Sequence, residues 1–323
     1  MIIWGMVGNS HDASLAVFDK NKLLWASLAK DFSDVPNDPN PNWTQLEVAK
    51  QSFGSPSKII WYERPFLKTL RQWRAGQGWL LKENNITDYL ARWDINAPIE
   101  YTQHHLSHAA YAYYTQPHDD CAVICLDSIG EFETLTVWHG KNNKLHKIYS
   151  QGYPHSLGLF YSAMTQRMGL QAQRDEYLVS QWAKKGKASR LASTLMKEII
   201  DVDHKKRNPQ KIKLRHNLHR GCMWWRPELS SQKDMYDIAA ATQHIFEYCV
   251  SVLSIWTKVQ TDSKHLALAG GGALNKDAVD KIQGHWDNVY VPPNPGDPGS
   301  CIGAVLAKNK TRQEQLNWYK KLA

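Results

Sequence analysis

Residues 2–29 read IIWGMVGNSHDASLAVFDKNKLLWASLA, and the way apolar and polar runs alternate in them decides the fold. Residues 2–7 form a short apolar run of β character, closed by the polar turn Gly8-Asn9-Ser10-His11-Asp12. Residues 13–18 resume as a strand, 19–22 make a hairpin turn, and 23–29 give a third strand. The same order returns in residues 121–149, CAVICLDSIGEFETLTVWHGKNNKLHKIY. There a strand at 121–126 ends in Asp127-Ser128-Ile129-Gly130-Glu131, and strands at 133–138 and 144–149 flank a second turn. Two copies of one opening predict an internal duplication, with the boundary at 117–120.

Strand, turn, strand, turn, strand is how a ribonuclease-H-like lobe opens. The expectation is therefore a duplicated, two-lobe α/β fold with helical insertions. Residues 1–118 would form the N-terminal lobe and residues 119–323 the C-terminal one. In such a fold the first turn of each lobe faces a shared cleft. His11 and Asp12 from one turn and Asp127 from the other would then stand beside a phosphate or a metal. A solvated turn is the alternative for His11 and Asp12.

Residues 101–114, YTQHHLSHAAYAYY, favour a helix, since Ala109, Ala110 and Ala112 support one and no Pro or Gly interrupts it. His104 and His108 are then i and i+4, on one face, and two imidazoles so placed can hold one metal ion. His105 points elsewhere. Core histidines beneath an aromatic face are the competing reading.

Elsewhere the pattern predicts helices at 43–52, 156–168, 187–200 and 236–259, and strands at 58–62, 266–269 and 289–291. A basic helix over 68–82 would interleave Lys68, Arg71, Arg74 and Lys82 with Trp73 and Trp79. Residues 174–177 are polar and would face the cleft. Residues 203–227 are dense in Lys and Arg and close on Trp224-Trp225. Lys211, Lys213, Arg215, Arg220, Trp224, Trp225 and Arg226 are candidates to follow a phosphate backbone and stack a base. An exposed insertion anchored to the core by its Trp pair is the other reading. Gly270-Gly271-Gly272-Ala273-Leu274-Asn275 stands between a strand and the helix 276–282, where glycines let backbone N–H groups approach a phosphate or ribose. Asp297, between Gly296 and Pro298 and just before the final helix at 301–307, is placed for a metal or as a cap.

The chain of 323 residues is long enough for one large domain or two lobes. Net charge is +8, which favours a polyanionic partner, and 14 Trp supply flat faces for stacking or for cores. Five cysteines, none in a CxxC, suit a reducing cytoplasm rather than a disulfide framework. No run of 18 apolar residues and no basic, cleavable leader is present, so neither membrane spanning nor export is expected.

Eight stretches carry a resemblance when taken together. They are GNSHDAS at 8–14, WYERPFLK at 61–68, HHLSHA at 104–109, DSIGE at 127–131, SLGLFY at 156–161, RPE with DIAAATQ within 226–243, GGGALN at 270–275 and GDPGSCIG at 296–303. In order and spacing the sequence resembles the N-terminal transferase domain of the carbamoyltransferase family of NodU and CmcH, itself related to TsaD.

The resemblance implies an actin-like (ASKHA) fold. It implies a divalent metal, Fe(II) before Zn or Mn, on His104, His108 and Asp297, with Asp127 completing or flanking the site. It also implies ATP bound through Gly270, Gly271, Gly272 and Asn275, with Asp127, Ser128 and Gly130 nearby, and carbamoyl phosphate as donor. His11 or Asp12 would be the base for an acceptor hydroxyl.

The motifs also depart from the family. Its lysine-bearing GEyKvMGLA-like segment reads Asp175-Glu176-Tyr177-Leu178-Val179-Ser180 here, so Arg174 or Lys184 would replace the missing charge. Its EERF-like segment reads Lys30-Asp31-Phe32-Ser33, which points to a changed acceptor. Family members continue into a YrdC-like domain that makes carbamoyl-adenylate, whereas this chain stops at Ala323. The donor is then expected to be made on this domain, supplied by a separate carbamoyl-adenylate-forming protein, or used directly as carbamoyl phosphate.

The acceptor expected from charge and Trp content is a hydroxymethylpyrimidine, 5-hydroxymethylcytosine in DNA, in the cytoplasm of a bacterial or virus-infected cell. Carbamoylation of a small alcohol, antibiotic or sugar, and TsaD-like tRNA modification, are the alternatives.

Overall fold

The computed structural model describes residues 1–202 and 210–319. Its strands are β1 (Ile2–Val7), β2 (Ser14–Asp19), β3 (Lys22–Leu28), β4 (Lys58–Trp61), β5 (Ile99–Tyr101), β6 (Cys121–Gly130), β7 (Glu133–Lys141), β8 (Lys144–Gly152), β9 (Ile200–Asp201), β10 (Lys213–Leu214), β11 (His265–Ala269) and β12 (Asn288–Tyr290). The helices are α1 (Lys30–Ser33), α2 (Trp43–Phe53), α3 (Pro65–Arg74), α4 (Ile86–Ala91), α5 (His104–Tyr114), α6 (Leu157–Arg167), α7 (Glu176–Ala183), α8 (Ala192–Glu198), α9 (Gln232–Thr261), α10 (Lys276–Ile282) and α11 (Ser300–Asn309).

The duplication is visible in the sheets. One runs β3-β2-β1-β4-β5 and the other β8-β7-β6-β11-β12, the same order twice. In each, the first three strands are antiparallel and the last two join in parallel. This is the order of a ribonuclease-H-like lobe, and the whole is the two-lobe, actin-like α/β fold expected. Each sheet delivers a central helix after its last strand, α5 in one half and α11 in the other. These two helices pack on each other: a Cβ on Gly303 would lie 1.9 Å from the Ser107 carbonyl, and one on Gly299 would strike the Tyr111 ring. Only glycine permits so close a crossing.

Strand β6 shows why apolar runs with β-branched residues were needed there. Val123, Cys125 and Cys121 face the core shared by the first sheet, α5 and α11, whereas Ala122, Ile124 and Leu126 face a second core built on α6 and α9. All five cysteines are free and buried. Among the described residues α9 is long and apolar enough to cross a membrane by length and composition, but 72% of that window is buried within the fold. Its burial marks it as a core helix.

Several expected elements differ. The basic helix stops at Arg74, because Gly76 and Gly78 take positive φ; Trp79 and Lys82 lie in the loop beyond. Tyr101 belongs to β5, and the histidine helix starts at His104. Of the segment 174–177, residues 174–175 form a turn and 176–177 open helix α7, and the expected helix at 187–200 is a 3-10 turn followed by α8. His204, Lys205, Lys206 and Arg207 lie outside the described residues. The C-terminal stretch returns to the first sheet, where Trp318 bridges to Ala26.

Candidate metal centre

The four expected donors come from three distant segments and meet at the ends of the two central helices. The first two turns of α5 carry His104 and His108, 2% and 0% exposed. Their Nε2 atoms stand 3.1 Å apart. One ring protonated at Nε2 would make this a hydrogen bond; with both protons on Nδ1 the two lone pairs face each other and call for a cation. Asp297 enters from the turn before α11, with Oδ1 3.4 Å from His104 Nε2 and 3.3 Å from His108 Nε2. Asp127, on β6, places Oδ2 3.2 Å from His104 Nε2. One ligand atom from each of the four residues lies within 4.8 Å of the others.

The donor set fits a divalent transition metal by type: two neutral imidazoles and two carboxylates, all buried except the half-buried Asp127. The outer contacts fit as well. Ser300 Oγ faces His108 Nδ1 at 3.3 Å. Glu63 Oε2 faces His104 Nδ1, a buried nitrogen with no hydrogen-bond partner, at 3.8 Å. A proton on each Nδ1 leaves the Nε2 lone pairs aimed inward. Glu63 is itself held by Lys68 Nζ at 2.7 Å, and Lys68 also donates to the Asn9 carbonyl at 3.1 Å. Burial pushes the Glu63 carboxyl up, but Lys68 and His104 outweigh it and hold it down to about 2. The ring of His104 is wedged by Gly130, where a Cβ would lie 2.1 Å from Cδ2.

The cluster draws positive charge. Burial pushes the Asp297 carboxyl up, yet His104, His108 and His11 hold it well below the usual carboxylate range. Asp127 is likewise lowered, with burial opposing and His104 prevailing. Burial pushes His104 down, while Asp297, Asp127 and Glu63 raise it well above an ordinary histidine. His105 is lowered by burial and by His104, and its Nδ1 meets Thr136 Oγ1 at 3.0 Å, outside the cluster.

His11 and Asp12 stand at the rim. Asp12 Oδ2 is 3.1 Å from His11 Nδ1, and His11 Nε2 is 3.7 Å from Asp297 Oδ2. Burial lowers His11, but Asp12, Asp297 and Asp127 raise it to about 9. A cavity of about 410 Å³ opens beside it, lined by Ser10, Asn37, Gln173 and Arg174.

The glycine run is more structural than its sequence implied. Cβ atoms on Gly270 and Gly272 would collide with Leu126, so packing against β6 demands both. Gly271 N–H points to Asp127 Oδ1 at 3.4 Å. The Asn275 amide is paired with Gln243 and caps α10 at the Ala278 N–H. Behind it lies a cavity of about 440 Å³ lined by Lys184, Gln243, His244, Glu247 and Lys281. Gly130, expected near the nucleotide, packs on His104. The Ser128 carbonyl accepts from Ser156 Oγ at 2.7 Å.

The basic segment divides. Trp225 is 2% exposed, its indole N–H donating to Glu198 at 2.9 Å, so it offers no face to a base. Arg226 is paired with Glu198 and Glu228, and Arg215 faces Asp201 at 3.9 Å. Trp224, Lys211, Lys213 and Arg220 are exposed. Glu63 was not singled out from the sequence. Its signal was a carboxylate directly after the buried Trp61-Tyr62 pair.

Comparison with known proteins follows the same lines. The chain is 31% identical over 227 residues to the uncharacterised protein sll1178 of Synechocystis sp., covering 65% of this chain and 36% of that one. It is 26% identical over 207 residues to the nodulation protein NolO of Bradyrhizobium diazoefficiens, covering 63% of this chain and 37% of NolO. With the uncharacterised protein MJ1051 of Methanocaldococcus jannaschii it shares 24% over 313 residues, 96% of this chain and 58% of that protein. The chain thus spans less than two thirds of the length of each of these relatives. The crystal structure of T. kodakarensis HypF is similar in fold, with a TM-score of 0.52 at 11% identity over 96% of this chain and 47% of that one. Residues 62–306, which hold all four clustered donors, match the family model described as Carbamoyltransferase N-terminus, and the chain belongs to that family.

Proposed function

We propose that this protein transfers a carbamoyl group from a carbamoyl phosphate-derived donor to a hydroxyl acceptor, with 5-hydroxymethylcytosine in DNA as the acceptor. The observation that carries the reading is the convergence of His104, His108, Asp127 and Asp297 on one point between the central helices. These residues would hold a divalent metal, Fe(II) before Zn or Mn. Such an ion neutralises phosphate and polarises a carbonyl.

The chain's own groups do the rest. Asp12 keeps Oδ2 on His11 Nδ1 and has its second oxygen for the acceptor hydroxyl. As the acceptor oxygen bonds the carbamoyl carbon, its proton passes to Asp12. The carbon–oxygen bond to phosphate breaks, and the leaving oxygen keeps the electron pair. His11 Nε2, 3.7 Å from Asp297 Oδ2, would meet that developing negative charge. The cavity beside His11 would receive the acceptor. The cavity behind Asn275 would take the nucleotide of ATP or carbamoyl-adenylate, with Lys184 at its edge in place of the family's lysine.

The test incubates the protein with metal, ATP and carbamoyl phosphate, together with hydroxymethylcytosine DNA or a panel of small alcohols. An added carbamoyl mass on the DNA, lost in His104→Ala, is the expected result. Modification of small alcohols alone would replace the acceptor. His104→Ala behaving as wild type would remove the metal-centre reading.

A further inference from the structure

Two segments that are distant in the sequence touch where Arg220 reaches Gly76 in the loop after α3. Helix α3 and the loop after it expose Phe66, Trp73, Trp79 and Leu81, at 59, 59, 51 and 48%. The segment after β10 exposes Met223 and Trp224, at 60 and 55%. The Arg220 guanidinium joins them, with Nη2 3.5 Å from where a Cβ would stand on Gly76, between Trp73 and Trp79. Burial lowers His219, the charges of Arg71 on α3 and of Arg220 lower it further, and its ring meets Tyr153. Trp73 and Trp79 are set edge to face, centroids 6.5 Å apart, and Trp224 is set edge to face with His216 at 4.8 Å.

Among the described residues Arg74, Lys82 and Arg220 have no carboxylate partner. The surface is therefore cationic and aromatic together, and its charges are not spent internally. It also leads to the chemistry. Lys68 of α3 donates to the Asn9 carbonyl at 3.1 Å, and Asn9 Nδ2 donates to the Glu83 carbonyl at 2.8 Å. Helix and loop thus both grip the turn that carries His11 and Asp12.

We propose that this composite face is the landing surface of an unpaired DNA strand, which lies on Trp73, Trp79 and Trp224 while Arg74, Lys82 and Arg220 hold its phosphates. Half-exposed indoles, each braced edge to face by one neighbouring ring, suit the π-faces of unstacked bases, which a duplex keeps covered. Phosphates without sequence readout suit unpartnered Arg and Lys. The proposal rests on the reading that DNA carries the acceptor hydroxyl, and it adds that the target base is taken from a strand already open or opened on binding.

The test uses the full chain and a fluorescein-labelled single-stranded DNA containing hydroxymethylcytosine, followed by anisotropy and by Trp emission. The duplex and the equivalent RNA are the competing arms. The single strand should bind tighter than either, with indole quenching. Its log affinity should fall against log salt with a slope of about −2, for three phosphates at ~0.7 each. Trp73→Ala with Trp224→Ala should weaken binding roughly tenfold or more, and Arg220→Gln should flatten the salt slope. Unchanged metal content and far-UV circular dichroism guard against misfolding of the variants. Tighter binding of duplex or RNA, variants that bind like wild type, or dimerisation through this face would each overturn the proposal. DNA that becomes carbamoylated without strand binding to this face overturns it while sparing the proposed activity. Strand binding without transfer does the reverse.

Discussion

Residues 8–13 join β1 to β2 as an open loop, with Asn9 at φ 56° and Asp12 at φ 58°. At the equivalent place in the second half the chain does not leave the sheet. Leu126 still pairs with Leu135, the next pair is Gly130 with Glu133, and residues 127–129 bulge between them. A bulge pinned by ladder pairs on both sides re-aims a side chain rigidly. Asp127 is so aimed, into the donor cluster beneath Gly271. The loop instead lets Asp12 turn to His11, and it is His11 that reaches toward Asp297. Duplicated topology supplied a carboxylate to each turn, but local backbone geometry turned one to His11 and the other to His104.

That contrast can be broken by paired substitutions. Asp127→Asn should lower metal affinity by more than about 100-fold, beyond the 10–100-fold typical of an outer partner. Asp12→Asn should retain metal and lower kcat by about 100-fold, the lower end for a general base. Isothermal titration with metal and steady-state kinetics check both, and equal metal loss in the two variants would erase the distinction. Glu63→Gln comes next: metal affinity should fall roughly 10–100-fold, because His104 Nδ1 loses the carboxylate that faces it. An affinity equal to wild type would make Glu63 a packing residue.

Smaller effects sharpen the same contrast through the backbone. Gly130→Ala forces a methyl against His104 and should cost about 1–3 kcal/mol in thermal unfolding, with weaker metal binding. Asn9→Gly, in the open loop, keeps the left-handed conformation and loses the side-chain hydrogen bond to the Glu83 carbonyl, so it should cost about 0.5–1.5 kcal/mol. Equal sensitivity at both sites would mean that the first turn is as tightly held as the second.

Much of this was legible in residues 2–29 and 121–149. Period and turn chemistry act locally, so the repeated strands, the α5 pair His104 and His108 and the strand-to-helix glycines could all be located in advance. Other features were not. Nothing local distinguishes Gly270 and Gly272, which make room for Leu126, from Gly271, which has space before it. Trp224 and Trp225 look alike in sequence, yet one is exposed and the other bonds Glu198 from the core. The helix expected to run to residue 82 broke at Arg74 because two glycines follow.

What the sequence determined by itself is the kind and order of elements, since apolar spacing selects strand or helix within a few residues. It also marked His104 and His108 by their i, i+4 spacing, whereas Asp127 and Asp297 entered as expected ligands through the family resemblance. What only the tertiary structure decided is their meeting: Asp127 and Asp297 reach the two histidines because the same sheet order, used twice, brings α5 and α11 together. Second contacts such as Glu63 behind His104, and the joining of α3 to the segment around Arg220, have the same origin. Such distances are set by packing between segments remote along the chain, and no local pattern encodes them.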